Sequence, residues 1–227
     1  SLMEKLVWNG LTDEQQIFFL RLSPFETATV RQMCRLLDCD VLPDYARHAL
    51  ASPFIRYDAE QRWYEPHSIL FVLVTQKRAE RGAAFERVCL LRAGDLCRDE
   101  GRTQEALGFY SRVQEYRQML SLDLSHLLFA EIGDTSFFAI ALDIAQRCPA
   151  ELRCEYPLSM LRVAWALKAS GKDREFSALL DELDAQLDQL GPLRAEWLLL
   201  AAYRNFPHVE VMLPIVQKAA PLFAGAC

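Results

Sequence analysis

The chain has 227 residues, enough for one large domain or for a small domain followed by a larger one. Apolar residues make up 52% and charged residues 25%, with only 9 Gly and 10 Pro, which argues against a turn-heavy β fold and for a mainly helical one. The formal net charge is −6. Residues 1–80 carry nine Lys/Arg against eleven Asp/Glu and the remainder sixteen against twenty, so neither part is basic and strong DNA binding by this chain alone is not expected. No apolar run approaches the roughly 18 residues of a membrane span, and Ile69 to Val74 is far too short. Ser1-Leu2-Met3-Glu4 lacks the positive start and long apolar core of a signal peptide and reads like an artificial junction. A cytoplasmic chain that begins inside a longer protein is therefore expected.

In chain order, Thr12-Asp13-Glu14-Gln15 is a capping box opening a helix whose apolar face is Ile17, Phe18, Leu20 and Leu22. After Ser23-Pro24, the spacing predicts a second helix over 27–37 with Val30, Met33, Cys34 and Leu37 on one side. Pro43-Asp44 opens a third, short helix through Leu50. The aromatic and β-branched runs Phe54-Ile55-Arg56-Tyr57 and Arg62-Trp63-Tyr64 flank a polar turn, which reads as a β-hairpin over about 54–64. Pro66 suits the first turn of a closing helix carrying Ile69, Leu70, Val72 and Leu73. Three helices, a hairpin and a closing helix predict a small winged-helix-like domain over residues 1–80. Its third helix offers Arg47 beside Asp44, and the hairpin tip carries Asp58 and Glu60, which repel phosphate. A structural arm is expected here, not a reader of base pairs.

From 81 to 227 the pattern predicts a TPR-like α-solenoid of antiparallel helix pairs. In a first repeat, Leu90, Gly94, Cys97, Gly101, Ala106 and Tyr110 occupy the expected apolar, small and turn positions, with Gly101 supplying a positive φ. A second aligns on Gly133, with Leu122, His126, Phe129, Phe138, Leu142 and Ala145; His126 stands where a small residue belongs. A third aligns on Gly171, with Met160, Ala164, Leu167, Phe176, Leu180 and Leu183. A final pair, Leu193 to Tyr203 and Val209 to Ala219, follows Gly191-Pro192 and is split at Asn205-Phe206-Pro207. Such repeats expose extended surfaces that bind a ligand or peptide.

Seven cysteines, at 34, 39, 89, 97, 148, 154 and 227, lie mostly inside apolar helical patterns, without a CxxC, so neither a disulfide framework nor a metal site is expected. No phosphate-binding loop, dinucleotide fingerprint, HExxH or GxSxG occurs, and His48, His67, His126 and His208 are scattered. Asp181, Glu182, Asp184 and Asp188 read as a solvated helix face. No catalytic residue and no enzymatic activity are predicted.

Trp63-Tyr64-Glu65-Pro66-His67-Ser68-Ile69-Leu70 resembles the aromatic-x-x-His-x-x-Leu element that closes the winged-helix domain of STAND-class ATPases. Arg92-Ala93-Gly94-Asp95-Leu96 and Glu105-Ala106-Leu107 follow as the first helix pair, and Gly191-Pro192-Leu193-Arg194-Ala195-Glu196-Trp197 is similar to the late G-x-x-x-x-E-W helix. In this order they resemble the large ATP-binding LuxR-type transcription regulators, the group of the maltose-gene activator. The resemblance implies an arm and a helical sensor between an ATPase domain and a DNA-binding helix-turn-helix, both absent from this sequence. It implies a small-molecule or protein inducer on the repeats, and ATP or ADP held by the parent protein and not by this chain. His67 matches the histidine that approaches the phosphates of bound ADP in the resting state, and a helix N-terminus favours anions. The alternative is a stand-alone TPR-like scaffold that binds a protein or peptide.

Overall fold

Helix caps set the frame of the first part. In the computed structural model, which describes residues 4, 7–132, 135–185 and 191–224, helix α1 (Asp13–Leu22) starts on Thr12 with both halves of the capping box formed. The second helix starts three residues later than its periodicity suggests. Ala28–Thr29 is strand β1, and Thr29 caps α2 (Val30–Leu37) through a second capping box with Gln32. β1 pairs with a later strand, and pairing outweighs local helical spacing there. Leu36, not Val30, joins Met33 and Cys34 in the core, and Val30 lies 42% exposed. Helix α3 (Asp44–Leu50) follows Pro43. The hairpin is β2 (Ile55–Asp58) and β3 (Trp63–Pro66), with Tyr57 opposite Tyr64 and Asp58 opposite Trp63. Asp58 Oδ1 accepts from the amides of Glu60 and Gln61, which closes the turn. The antiparallel sheet has the order β1-β3-β2.

Pro66 ends β3 instead of opening a helix, and His67 is the N-cap of α4 (Ser68–Glu80). Helix α5 (Ala83–Asp99) packs on α2 and α4. The chain divides into two units, Ser1–Arg102 and Thr103–Cys227, so α5 is grouped with the first. Inside that unit Arg78 is 2% exposed, its Nη1 donates to Ser23 Oγ at 2.8 Å and its Nε lies 3.8 Å from Glu86. A guanidinium is tolerated at that depth only when it is paired and hydrogen-bonded.

The second unit contains α6 (Thr103–Arg112), α7 (Tyr116–Leu120), α8 (Phe137–Arg147), α9 (Ala150–Glu155), α10 (Pro157–Ala169), α11 (Asp173–Asp184), α12 (Arg194–Arg204) and α13 (Val209–Ala224). Helix α10 is its centre: Met160, Leu161, Val163, Ala164, Ala166 and Leu167 are fully buried, and α8, α11 and α12 pack around it. Pro157 at its first position is preset for helix entry. The α10–α11 hairpin matches the third expected repeat, with Phe176, Leu180 and Leu183 buried from the other side.

The second expected repeat departs from its prediction. Residues 122–130, predicted to form its first helix, are turns, and β4 (Glu131–Ile132) pairs with β5 (Thr135–Ser136) before α8. Asp123 Oδ1 accepts from the Ser125 amide at 3.0 Å, a local bond that competes with helix hydrogen bonding. Ile132 packs on the small Gly108 of α6, where an added Cβ would meet it at 3.1 Å. Gly133, on which that repeat was aligned, and Cys227 and Asp188 lie outside the described residues. The final pair is α12 and α13, packed together and divided at 205–208. The protein is thus mainly helical with a small antiparallel sheet, and no helix among the described residues is long and apolar enough to cross a membrane.

Candidate functional site

His67 sits exposed at the start of α4, and its Nδ1 accepts the Ile69 amide hydrogen at 3.4 Å. An imidazole that accepts at Nδ1 carries its proton on Nε2. The outward nitrogen is then a donor beside the positive end of a 13-residue helix. The ring's chemistry therefore fits a contact with an anionic phosphate oxygen. Elsewhere in the first unit, Arg47 pairs with Asp44 on α3, and Arg56 with Glu65 across the hairpin.

In the second unit the late motif acquires a structural role that its spacing did not reveal. Glu196 stands in the first turn of α12, and its Oε1 accepts from Arg162 Nη1 and, at 2.9 Å, from Trp165 Nε1. Arg162 and Trp165 lie three residues apart on α10 and so share a face. Arg162 Nε also donates to Ser125 Oγ at 3.3 Å, and the Trp165 ring meets Tyr203 edge-on with centroids 5.4 Å apart. The Arg162 and Glu196 side chains are 25% and 18% exposed, so their attraction is only partly screened by water. Leu124, Ser125, Leu128, Phe137, Arg162 and Trp165 line a cleft of about 280 Å³, open to solvent. One wall comes from the irregular segment that replaces the expected helix. Three apolar side chains, an aromatic ring and a convergent polar cluster form the usual lining of a small-molecule site. Trp197 of the same motif has its Nε1 buried without a hydrogen-bond partner among the described residues.

Sequence reasoning missed Arg162, Trp165 and Ser125. The signal available was an arginine and a tryptophan at i and i+3 inside an otherwise apolar helix. The acidic stretch of α11 is not simply solvated. Arg153 forks onto Glu182 at 2.9 and 2.7 Å and donates to the Cys148 carbonyl at 2.6 Å, while Asp181 pairs with Arg204 at 2.8 Å. This ties α9 and the end of α8 to α11, and α11 to α12. His48, His126 and His208 are exposed, and no group of three or more His, Cys, Asp or Glu among the described residues could hold a metal ion.

Comparison with known protein families, with curated proteins and with solved structures finds no match. The family likeness therefore rests on the residues quoted for it.

Proposed function

We propose that this chain is the central arm and effector-sensing region of a bacterial ATP-dependent LuxR-family transcription regulator. In this reading the first unit is a winged-helix-like arm and the second a TPR-like sensor. Together they transmit inducer binding to an ATPase domain and a DNA-binding domain carried elsewhere in the parent protein. The order helix, strand, two helices, hairpin, helix, with the sheet arranged β1-β3-β2, supports the arm. The α10–α11 and α12–α13 hairpins support the sensor. His67, with its outward donor, would face the ADP phosphates of the parent's ATPase domain.

The observation that carries the sensing role is the place of Glu196. The acidic residue of the late motif holds Arg162 and Trp165 at the rim of the cleft. The cleft binds an inducer, and α10 and α12, which Glu196 joins, register its arrival. The test is a metabolite screen on this chain, read by thermal shift. A ligand at a hundredfold excess over its Kd should add about 2.7 kcal/mol of stability. Arg162→Ala and Trp165→Ala should each weaken that ligand about tenfold or more, roughly 1.4 kcal/mol. A stabilising ligand bound equally well by both variants would remove the cleft from the sensing role.

A further inference from the structure

We propose that Cys34 and Cys39 form an oxidation site, closing to a disulfide when a peroxide reaches the chain and reopening with a thiol reductant. The pair is built by the way α2 ends. Asp38 adopts the left-handed conformation, φ 60° and ψ 51°. The chain then folds back so that the Cys39 amide donates to the Cys34 carbonyl at 3.0 Å. This is the six-to-one bond of a Schellman cap, a motif that brings together the side chains on either side of the turn. In most helices those two side chains are apolar and only pack. Here both are cysteines. Cys39 Sγ donates to the Cys34 carbonyl oxygen at 3.6 Å, so the Cys39 thiol lies over the turn that Cys34 begins. The native cap thus already brings the two residues together, and closing the bond needs no rearrangement of a distant segment.

The two thiols differ in access: Cys34 is buried at 8% exposure, whereas Cys39 is half-buried. Cys39 is the one a peroxide meets. Its thiolate attacks the peroxide, an S–O bond forms, the O–O bond breaks, and one oxygen leaves as water after taking up a proton. Cys34 then attacks the sulfenic sulfur. The S–S bond forms, the S–O bond breaks, and hydroxide leaves as a second water with the Cys34 proton. Two thiols lose two electrons, and one peroxide becomes two waters. Burial, and then the neighbouring Cys34, Asp40 and Asp38, push the Cys39 thiol above the usual range. Little thiolate is then present at neutral pH, so the first step is slow. The bond would lock the end of the helix that meets α5 through Arg35–Asp99, Gln32–Glu100 and the Leu36 carbonyl, which Arg92 Nη1 reaches at 3.0 Å.

The experiment uses the full reduced chain, folded, treated with hydrogen peroxide, alkylated with iodoacetamide and digested with trypsin. Cleavage after Arg35 separates the two cysteines, so the disulfide is read by mass as residues 32–35 linked to 36–47. That linked pair should be the dominant product of Cys39, and dithiothreitol should release it before alkylation. Cys34→Ser should leave Cys39 as a sulfenic acid that dimedone traps, and Cys39→Ser should abolish the link. The proposal is overturned if Cys39 pairs mainly with another cysteine, if both residues stay alkylatable, or if the link appears only after unfolding in urea.

Discussion

At the scale of single residues, several buried or half-buried polar groups meet a specific partner. Arg78 meets Ser23, Arg153 meets Glu182, Arg162 meets Glu196, and Ser159 donates to the Leu120 carbonyl at 2.6 Å. Tyr116 shows how such a partner becomes a pH dependence. Its hydroxyl donates to Asp143 Oδ2 at 2.9 Å. Burial first, then that hydrogen bond and the Asp143 charge, raise the phenol from 10.0 to about 12. The protonated form is the one the folded state prefers. The stabilisation is thus fully present below pH 10, the ordinary value, and is lost as pH rises through about 12. Urea melts at pH 9 to 11.5 should show stability falling across that window, and Tyr116→Phe should flatten the fall. Equal slopes for the two proteins would mean that Tyr116 gains nothing from Asp143.

At the scale of elements, glycine marks where helices turn back. α5 and α10 end alike: Gly101 has φ +73° and Gly171 φ +72°, and the next amide, of Arg102 or Lys172, donates five residues back to Cys97 at 2.8 Å or Leu167 at 2.9 Å. Nothing lies within 4 Å of a Cβ placed at Gly171, so a side chain there costs only backbone strain. Gly171→Ala should destabilise the protein by about 1 kcal/mol and Gly171→Asn by less, because Asn tolerates the left-handed region. Chemical denaturation at constant m-value measures this, and an alanine variant as stable as the parent would remove the cap from the account. The Gly101 turn, the Thr12 capping box and the hairpin were legible in the sequence, because each is a local pattern with one dominant geometry; the Thr29 capping box was missed because the second helix was started at residue 27. Three features were not legible. β1 depends on a distant partner strand, pairing Ala28 with Tyr64 and Thr29 with Trp63. Residues 122–130 look periodic enough for a helix, but the Asp123 turn and the β4–β5 pairing win there. The Arg162–Trp165–Glu196 cluster needs α12 folded against α10, a contact across more than 30 residues that no local pattern encodes.

At the scale of the whole molecule, charge decides what the proposed arm can do. A winged helix that reads DNA brings free cations to the groove and the flanking phosphates, and each phosphate neutralised contributes through released counterions. In this protein Arg47 of α3 is engaged by Asp44, Arg56 of the hairpin by Glu65, and Asp58 and Glu60 stand at the tip. Residues 1–80 carry nine Lys/Arg against eleven Asp/Glu, so the remaining cations face a net negative background. Non-specific DNA binding by cation-bearing proteins has a Kd of about 10⁻⁴–10⁻⁶ M at physiological salt, and this chain should fall at or beyond the weak end. Electrophoresis of a short labelled duplex with up to micromolar protein should show no retarded band, and lowering the salt should not produce one. Replacing Asp44, Asp58 and Glu60 together with Asn or Gln would free Arg47 and remove the repulsion at the tip. If that triple variant binds DNA and the parent does not, charge is what keeps this arm off the duplex. If the unmodified chain retards the duplex at submicromolar concentration, the first unit is a DNA reader and the arm assignment fails.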